Sequence, residues 1–257
     1  MSPSGVCVNG STPTVLLVHG EFSDGSIWAG VIGELQAAGI TAIALANPLR
    51  GLASDAAYVA CAMGEIDGPV LLTGHSYGGA VITAAGATAG NVVGLVYVAA
   101  FALGEGESVL DITGRFPGGR LMPALRPTAF PGAGGHQDVE LFIDREAFPQ
   151  VFAADLPYRA AAVAAAAQRP ITAAAFEEKA RTAAWKTRPS RYLIATTDLV
   201  IPLAAQQFMA SRASAYTTEV RASHAIPLTH PETVARQIAA AAGAHHRSSP
   251  ESSIDPR

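Results

Sequence analysis

Residues 69–79 read PVLLTGHSYGG, and no other stretch constrains the fold of this chain as tightly. Val70, Leu71 and Leu72 form a short apolar run without a polar face, bounded by Gly68-Pro69 in front and Gly74 behind. Such a run reads as a strand buried on both faces of a parallel sheet. Gly74-His75-Ser76-Tyr77-Gly78-Gly79 follows, and then an Ala-rich apolar stretch of helical length over 80–89. Strand, G-x-S-x-G, helix is the context of a sharp turn that presents a nucleophile. Gly74 and Gly78 carry no Cβ, so strand and helix can approach closely. Ser76 is then left in a strained conformation with its hydroxyl above the sheet edge. A glycine-rich turn with a solvated serine is the plainer alternative, and the flanking strand and helix argue against it.

The same period recurs along the chain. Apolar strands are expected at 14–18 (TVLLV), 41–45 (TAIAL), 92–100, 191–195 (RYLIA) and 217–220, with a short leading strand at Val6-Cys7-Val8. Helices are expected at 27–38 with Ser26 as N-cap, from Ser54 to about residue 65, at 203–211 and at 231–241. Strands alternating with helices imply right-handed βαβ units. The fold class is therefore α/β, a mostly parallel central sheet with helices on both faces. The pattern breaks over 103–188, where no convincing buried strand is found and Pro/Gly-rich pieces precede helix-like segments. That span is too long for a simple loop. It reads as a helical cap over the carboxyl ends of the strands, where such sheets bind ligands. The organisation expected is a core of 1–102 and 189–243, a cap of 103–188 and a disordered tail of 244–257.

Composition limits the partners. The 257 residues are 49% hydrophobic and 15% charged, with much of the excess in alanine, and no apolar run is long enough to span a bilayer. The first residues show no basic and apolar leader. Net charge is -4 without a basic cluster, which leaves nucleic-acid and anionic-membrane partners unsupported. Cys7 and Cys61 lack metal or redox spacing and read as free thiols of a cytoplasmic protein. His245-His246 reads as a solvated pair, so no metal is expected. A homodimer is compatible with all of this.

A neutral serine hydroxyl needs a base, and the base needs a third group to orient it. In a strand-turn-helix site of this kind the order is Ser, then acid, then His. Asp198 follows the strand at 191–195 directly, and His224 follows the strand at 217–220. Both should emerge at the same sheet edge as Ser76. Glu105, Asp111, Asp138, Asp144 and Asp155 are rival acids that follow no core strand as directly. Of the rival bases, His19 reads as structural beneath the loop after the first strand. His75 is expected to point away from the site, His136 lies in the cap, and His230 precedes a helix. The oxyanion requires two backbone N–H donors. Tyr77, next after Ser76, supplies one, and Glu21, in the loop that Gly20 lets approach, supplies the other. Phe22 and Trp28 would line or support the wall.

Together VLLVHG…W, NPLRG, GHSYGGAV, YVAAF, ATTDLVIP and SHAIPLTHPE resemble the α/β-hydrolase superfamily. They are most similar to its serine esterases, the bacterial small-ester hydrolases related to plant methyl esterases and hydroxynitrile lyases. The resemblance covers 15–241 and is weakest across the cap. It implies a cofactor-free serine mechanism with the triad Ser76, Asp198 and His224 and oxyanion donors at Glu21 and Tyr77. Two positions depart from the pattern. The lyases have a Lys after the catalytic His and a Thr after the first-strand His. Here these are Ala225 and Gly20, which argues against cyanohydrin cleavage. Relatives mostly have a small or apolar residue where this chain has Glu21. An inward carboxylate would oppose the developing charge, so the side chain is expected to point away; the alternative is that it takes part in substrate selection. Phe130, Phe142, Phe148, Phe152 and Trp185 make the cap apolar, and Phe101 follows the strand at 92–100. Phe22, Trp28, Phe101 and Trp185 are the substrate-binding candidates. The function expected is cleavage of a small, apolar carboxylic ester or lactone. C–C bond hydrolysis or perhydrolysis with the same triad, or a ligand-binding homologue without turnover, are the alternatives.

Overall fold

A computed structural model of the protein describes residues 12–248. The expected strand at Val6-Cys7-Val8 lies outside them. The chain runs β1 (Thr14–Val18), α1 (Ala29–Ala37), β2 (Ala42–Leu45), α2 (Leu52–Gly64), β3 (Val70–Ser76), α3 (Tyr77–Ala85) and β4 (Val92–Ala100). The insertion follows, with α4 (Val109–Arg115), α5 (Leu121–Ala124), β5 (Leu125–Pro131), β6 (Gln137–Ile143), α6 (Phe148–Val151), α7 (Tyr158–Ala167), β7 (Ile171–Thr172) and α8 (Ala173–Glu177). The core then resumes with β8 (Ser190–Ala195), α9 (Leu203–Arg212), β9 (Tyr216–Val220), α10 (Ile226–Thr229) and α11 (Pro231–Ser248).

Six strands form one sheet in the order β2-β1-β3-β4-β8-β9, and every neighbouring pair is parallel. All seven residues of β3 are buried, as its unbroken apolar start requires of a central strand. Val18 pairs with Gly74 and Ser76 with Ala100, so the ends of β1, β3 and β4 lie side by side. The loops after β1, β3, β8 and β9 therefore open onto one edge.

Four local details differ from the sequence reading. The first helix opens as a 3-10 turn over Gly25–Trp28, capped by the Asp24 carboxylate, which accepts the Ser26 N–H at 2.8 Å. At α2 the Asp55 carboxylate, not Ser54, takes the amides of Arg50 and Gly51, while the Ser54 hydroxyl donates to the Gly51 carbonyl. Helix α11 continues past residue 241 to Ser248, so the first part of the expected tail is helical. The insertion is also not wholly helical, since β5, β6 and β7 form a small antiparallel sheet. Most residues of β5 and the first half of β6 are exposed. A strand exposed on both faces lacks the apolar run and the alternation by which buried strands are found. The insertion is tied to the core where Thr172 donates its N–H to the Leu49 carbonyl and its hydroxyl to the Arg50 carbonyl. Among the described residues no helix is long and apolar enough to cross a membrane.

Candidate active site

Strand β3 delivers Ser76 into the turn with φ 53° and ψ -125°, a strained backbone for a residue with a side chain. Two glycines make the approach possible. A Cβ on Gly20 would lie 2.5 Å from the Ser76 Cβ, and one on Gly78 would collide with the carbonyls of Val18 and His19. The Phe101 N–H donates to the Ser76 carbonyl at 3.0 Å, which pins the turn from the β4 side.

The loop after β9 brings His224 onto Ser76, with Nε2 to Oγ at 2.7 Å, and its Nδ1 lies 2.7 Å from Asp198 Oδ2. A carboxylate only accepts, so Nδ1 carries the proton and the Nε2 lone pair faces the serine hydroxyl. Asp198 is itself held. Its Oδ1 accepts the Val200 and Ile201 amides at 2.7 and 3.0 Å, and its Oδ2 accepts a further N–H from Gln206 at 3.0 Å. Gln206, on α9 and fully buried, is locked by the Ala195 amide and the Ile201 carbonyl. The arrangement is a Ser-His-Asp triad, able to pass the serine proton to the imidazole as the oxygen attacks.

His75 does not turn away from the site as expected. It packs on the His224 ring at 4.6 Å between centroids and donates from Nε2 to the His224 carbonyl at 2.8 Å. Burial, and next the neighbouring His224, push its pKa well below the usual histidine value, so it is a neutral buttress. His19 is structural. Its Nε2 accepts the Asn47 amide at 3.0 Å and its Nδ1 donates to the Gly20 carbonyl at 2.8 Å. Four of the five rival acids are engaged elsewhere, and the fifth, Asp138, lies on the exposed start of β6. Asp155 accepts the N–H and hydroxyl of Ser223 and so clamps the insertion onto the His224 loop. The Asp111 carboxylate accepts the N–H of Ser108, the N-cap of α4, Asp144 pairs with Arg126, and Glu105 with Lys186.

On the acyl-oxygen side the structure overturns one expectation. Glu21 is fully buried and points inward, and its Oε2 accepts the Tyr77 N–H at 2.9 Å. Burial raises its pKa. The His224 imidazole, the Tyr77 amide and its own amide act in the opposite direction. Both nominated oxyanion donors thus bear on one carboxyl. The Tyr77 hydroxyl donates to Asp55 at 2.9 Å, which anchors α3 on α2.

Phe22 has φ 58° and lines a surface pocket with Ser23, Ile27, Phe148, Phe152 and Leu228, between the loop after β1 and the insertion. Trp28 is buried edge-on against His75. Phe101 is buried behind the turn. The contacts of Trp185 run to the Leu103 carbonyl and to Arg212 rather than to the Ser76 group. Phe152, from the insertion, stands edge-on to His224 at 4.9 Å. Sequence reasoning singled out neither Gln206, Phe152 nor Asp155 for these roles. The one available signal was that Gln206 lies eight residues beyond Asp198, in the helix that follows it. Among the described residues no group of three or more His, Cys, Asp or Glu is placed to hold a metal ion.

The profile of the "Alpha/beta hydrolase family" matches residues 15–237. An alpha/beta hydrolase of Aspergillus novofumigatus (strain IBT 16806), nvfD, is 27% identical over 262 residues, covering 90% of this chain and 97% of its own. The fold is shared with a pyrethroid hydrolase of Sphingobium faniae JZ-2, with TM-score 0.74, 23% identity, and coverage of 91% of this chain and 98% of that one. It is shared also with a methylesterase from Arabidopsis, with TM-score 0.74, 16% identity, and coverage of 90% and 99%.

Proposed function

Since the chain belongs to the alpha/beta hydrolase family, we propose that it is a serine carboxylesterase acting on a small, apolar ester or lactone. The observation that carries this reading is His224 bridging Ser76 and Asp198 at 2.7 Å on each side. Ser76 Oγ attacks the ester carbonyl and its proton passes to His224 Nε2. The carbonyl electron pair moves to the oxygen, which the N–H groups of Tyr77 and Glu21 would receive. One such donor is worth roughly 3 to 4 kcal/mol to the transition state. The alkoxy oxygen then leaves with the proton from His224, and an acyl-enzyme remains. Water, deprotonated by His224, releases the acid and restores Ser76. Asp198 holds the imidazole tautomer and offsets the charge that forms on it.

Phe22, with Trp28 behind it, and Phe152 supply an apolar wall near the reacting atoms, and Phe101 supports the turn. Trp185 is retained as a candidate only for a group that reaches the Leu103 side. The insertion at 103–188 acts as the lid over the core in this reading, a role supported by the Asp155 clamp on the His224 loop. The names of the pyrethroid hydrolase and the methylesterase agree with ester chemistry. The reading also takes the protein to be cytoplasmic, to need no cofactor, to bind no nucleic acid or membrane, and to be free to form a homodimer.

The test is a panel of esters in which acyl and alcohol parts vary separately, with fluorophosphonate labelling of the serine. Turnover and labelling by the wild type, both abolished in Ser76→Ala, are expected. Full activity in Ser76→Ala would defeat the assignment.

A further inference from the structure

The reaction above uses the Glu21 N–H but gives the Glu21 carboxyl no part. Its Oε2 occupies the Tyr77 N–H, the donor an ester carbonyl must reach. Its Oε1 is buried and has no hydrogen-bond partner among the described residues. Asp198 and Gln206, buried across the His224 ring from Ser76, have every such atom engaged. A buried carboxyl oxygen without a donor is costly. Here the carboxyl is bonded to the residue next after the reacting serine, so its bare oxygen is a position for a donor that arrives with a ligand.

A substrate's effect on this carboxyl depends on what it carries. A plain ester takes the Tyr77 N–H for its carbonyl oxygen and strips Glu21 of its remaining partner from that residue. An ester with a hydroxyl on the carbon next to the carbonyl takes the same N–H and gives a hydrogen bond back. Hydroxyl suits the place better than ammonium, because Phe22, next in the chain, and Phe152, against His224, are buried apolar groups and a full charge beside them would be expensive. A hydroxyl can also donate to a carboxylate or accept from a carboxylic acid, so it fits Glu21 in either state.

We propose that Glu21 is a specificity-determining residue, which holds the acyl-oxygen site against plain esters and yields it to esters of 2-hydroxy acids. The inference rests on the esterase reading and names its substrate class.

The test uses phenyl esters of propanoic, 2-methoxypropanoic and 2-hydroxypropanoic acid with the wild type, Glu21→Gln and Glu21→Ala. The methoxy ester matches the electron withdrawal of the hydroxy ester without its donor. In kcat/KM the wild type is expected to favour hydroxy over methoxy by at least about tenfold. Glu21→Ala should raise the propanoyl ester by about tenfold or more and bring the hydroxy-to-methoxy ratio to within about threefold of unity. Glu21→Gln, near-isosteric and still an acceptor, should fall between. If Glu21→Ala does not fold, Glu21→Gln decides the matter by whether its ratio drops at least about threefold. An equal ratio in wild type and variants overturns the proposal. So does loss of all turnover in the variants while Ser76 still reacts with fluorophosphonate, since Glu21 would then belong to the chemical step. No turnover and no labelling in the wild type would sink the esterase reading itself, and this inference with it.

Discussion

On the base side of Ser76, the side-chain polar atoms of His224, Asp198 and Gln206 are all paired. On the acyl-oxygen side the Glu21 carboxyl is held at one oxygen and bare at the other. The first side is finished before any ligand arrives, so its geometry costs nothing at the moment of reaction. The second is filled by the protein's own side chain and must be rearranged. Base and nucleophile are general to ester cleavage, whereas the acyl-oxygen side is where one substrate can be told from another.

Perturbing the finished side should have the largest effects. Ser76→Ala should lower kcat by about a millionfold, in effect abolishing turnover, and Asp198→Asn by roughly ten-thousandfold through the wrong imidazole tautomer, both read by steady-state kinetics. Comparable rates in Asp198→Asn would mean that the acid does not orient His224. Gln206→Leu removes one donor from Asp198 and should reduce kcat by about ten- to a hundredfold with little change in KM, as expected for a residue that positions another. A change in KM alone would place Gln206 outside the triad's support. Asp155→Ala unclamps Ser223 from the insertion and should cost about 1–3 kcal/mol in denaturant unfolding, with a smaller effect on rate.

The smallest effect compares the two sides through pH. Glu21 has a pKa raised above 4.5 by burial, so above 4.5 the folded state keeps a proton that the unfolded chain has released. Stability contributed by this group is present at low pH and is lost as pH rises through the raised value. Glu21→Gln should therefore gain stability relative to wild type as pH climbs from 4.5, by at most about 1.4 kcal/mol per pH unit. His75 behaves in the opposite sense. Its pKa lies well below 6.5, so its contribution is lost as pH falls below 6.5, and His75→Gln should flatten that arm. Parallel unfolding curves for wild type and Glu21→Gln across pH would contradict a buried, raised carboxyl.

Much of this was legible in the chain because it is written in local patterns. Apolar runs bounded by glycine and proline mark strands buried on both faces, and β1, β3 and β4 lie where those runs occur. Chain order along a parallel sheet then ties Asp198 and His224 to the edge that holds Ser76. The exposed hairpin of β5 and β6 was not legible, since strands that bury neither face leave no periodic signal. Nor was the support given by His75, whose partner His224 is distant in sequence, or by Gln206, whose reach to Asp198 depends on how α9 packs against the loop after β8.

By itself, then, the sequence determined the parallel sheet, the strained serine turn and the order of acid and base, because backbone periodicity and glycine sterics act over a few residues. The tertiary structure alone decided where Glu21 points. Its direction follows from the approach of the β1 loop to the start of α3, where Gly20 meets Ser76 and the Tyr77 amide, without a partner inside its own helix, donates to the carboxylate. A free amide at a helix start attracts a carboxylate within reach, and only the packed fold brings this one there.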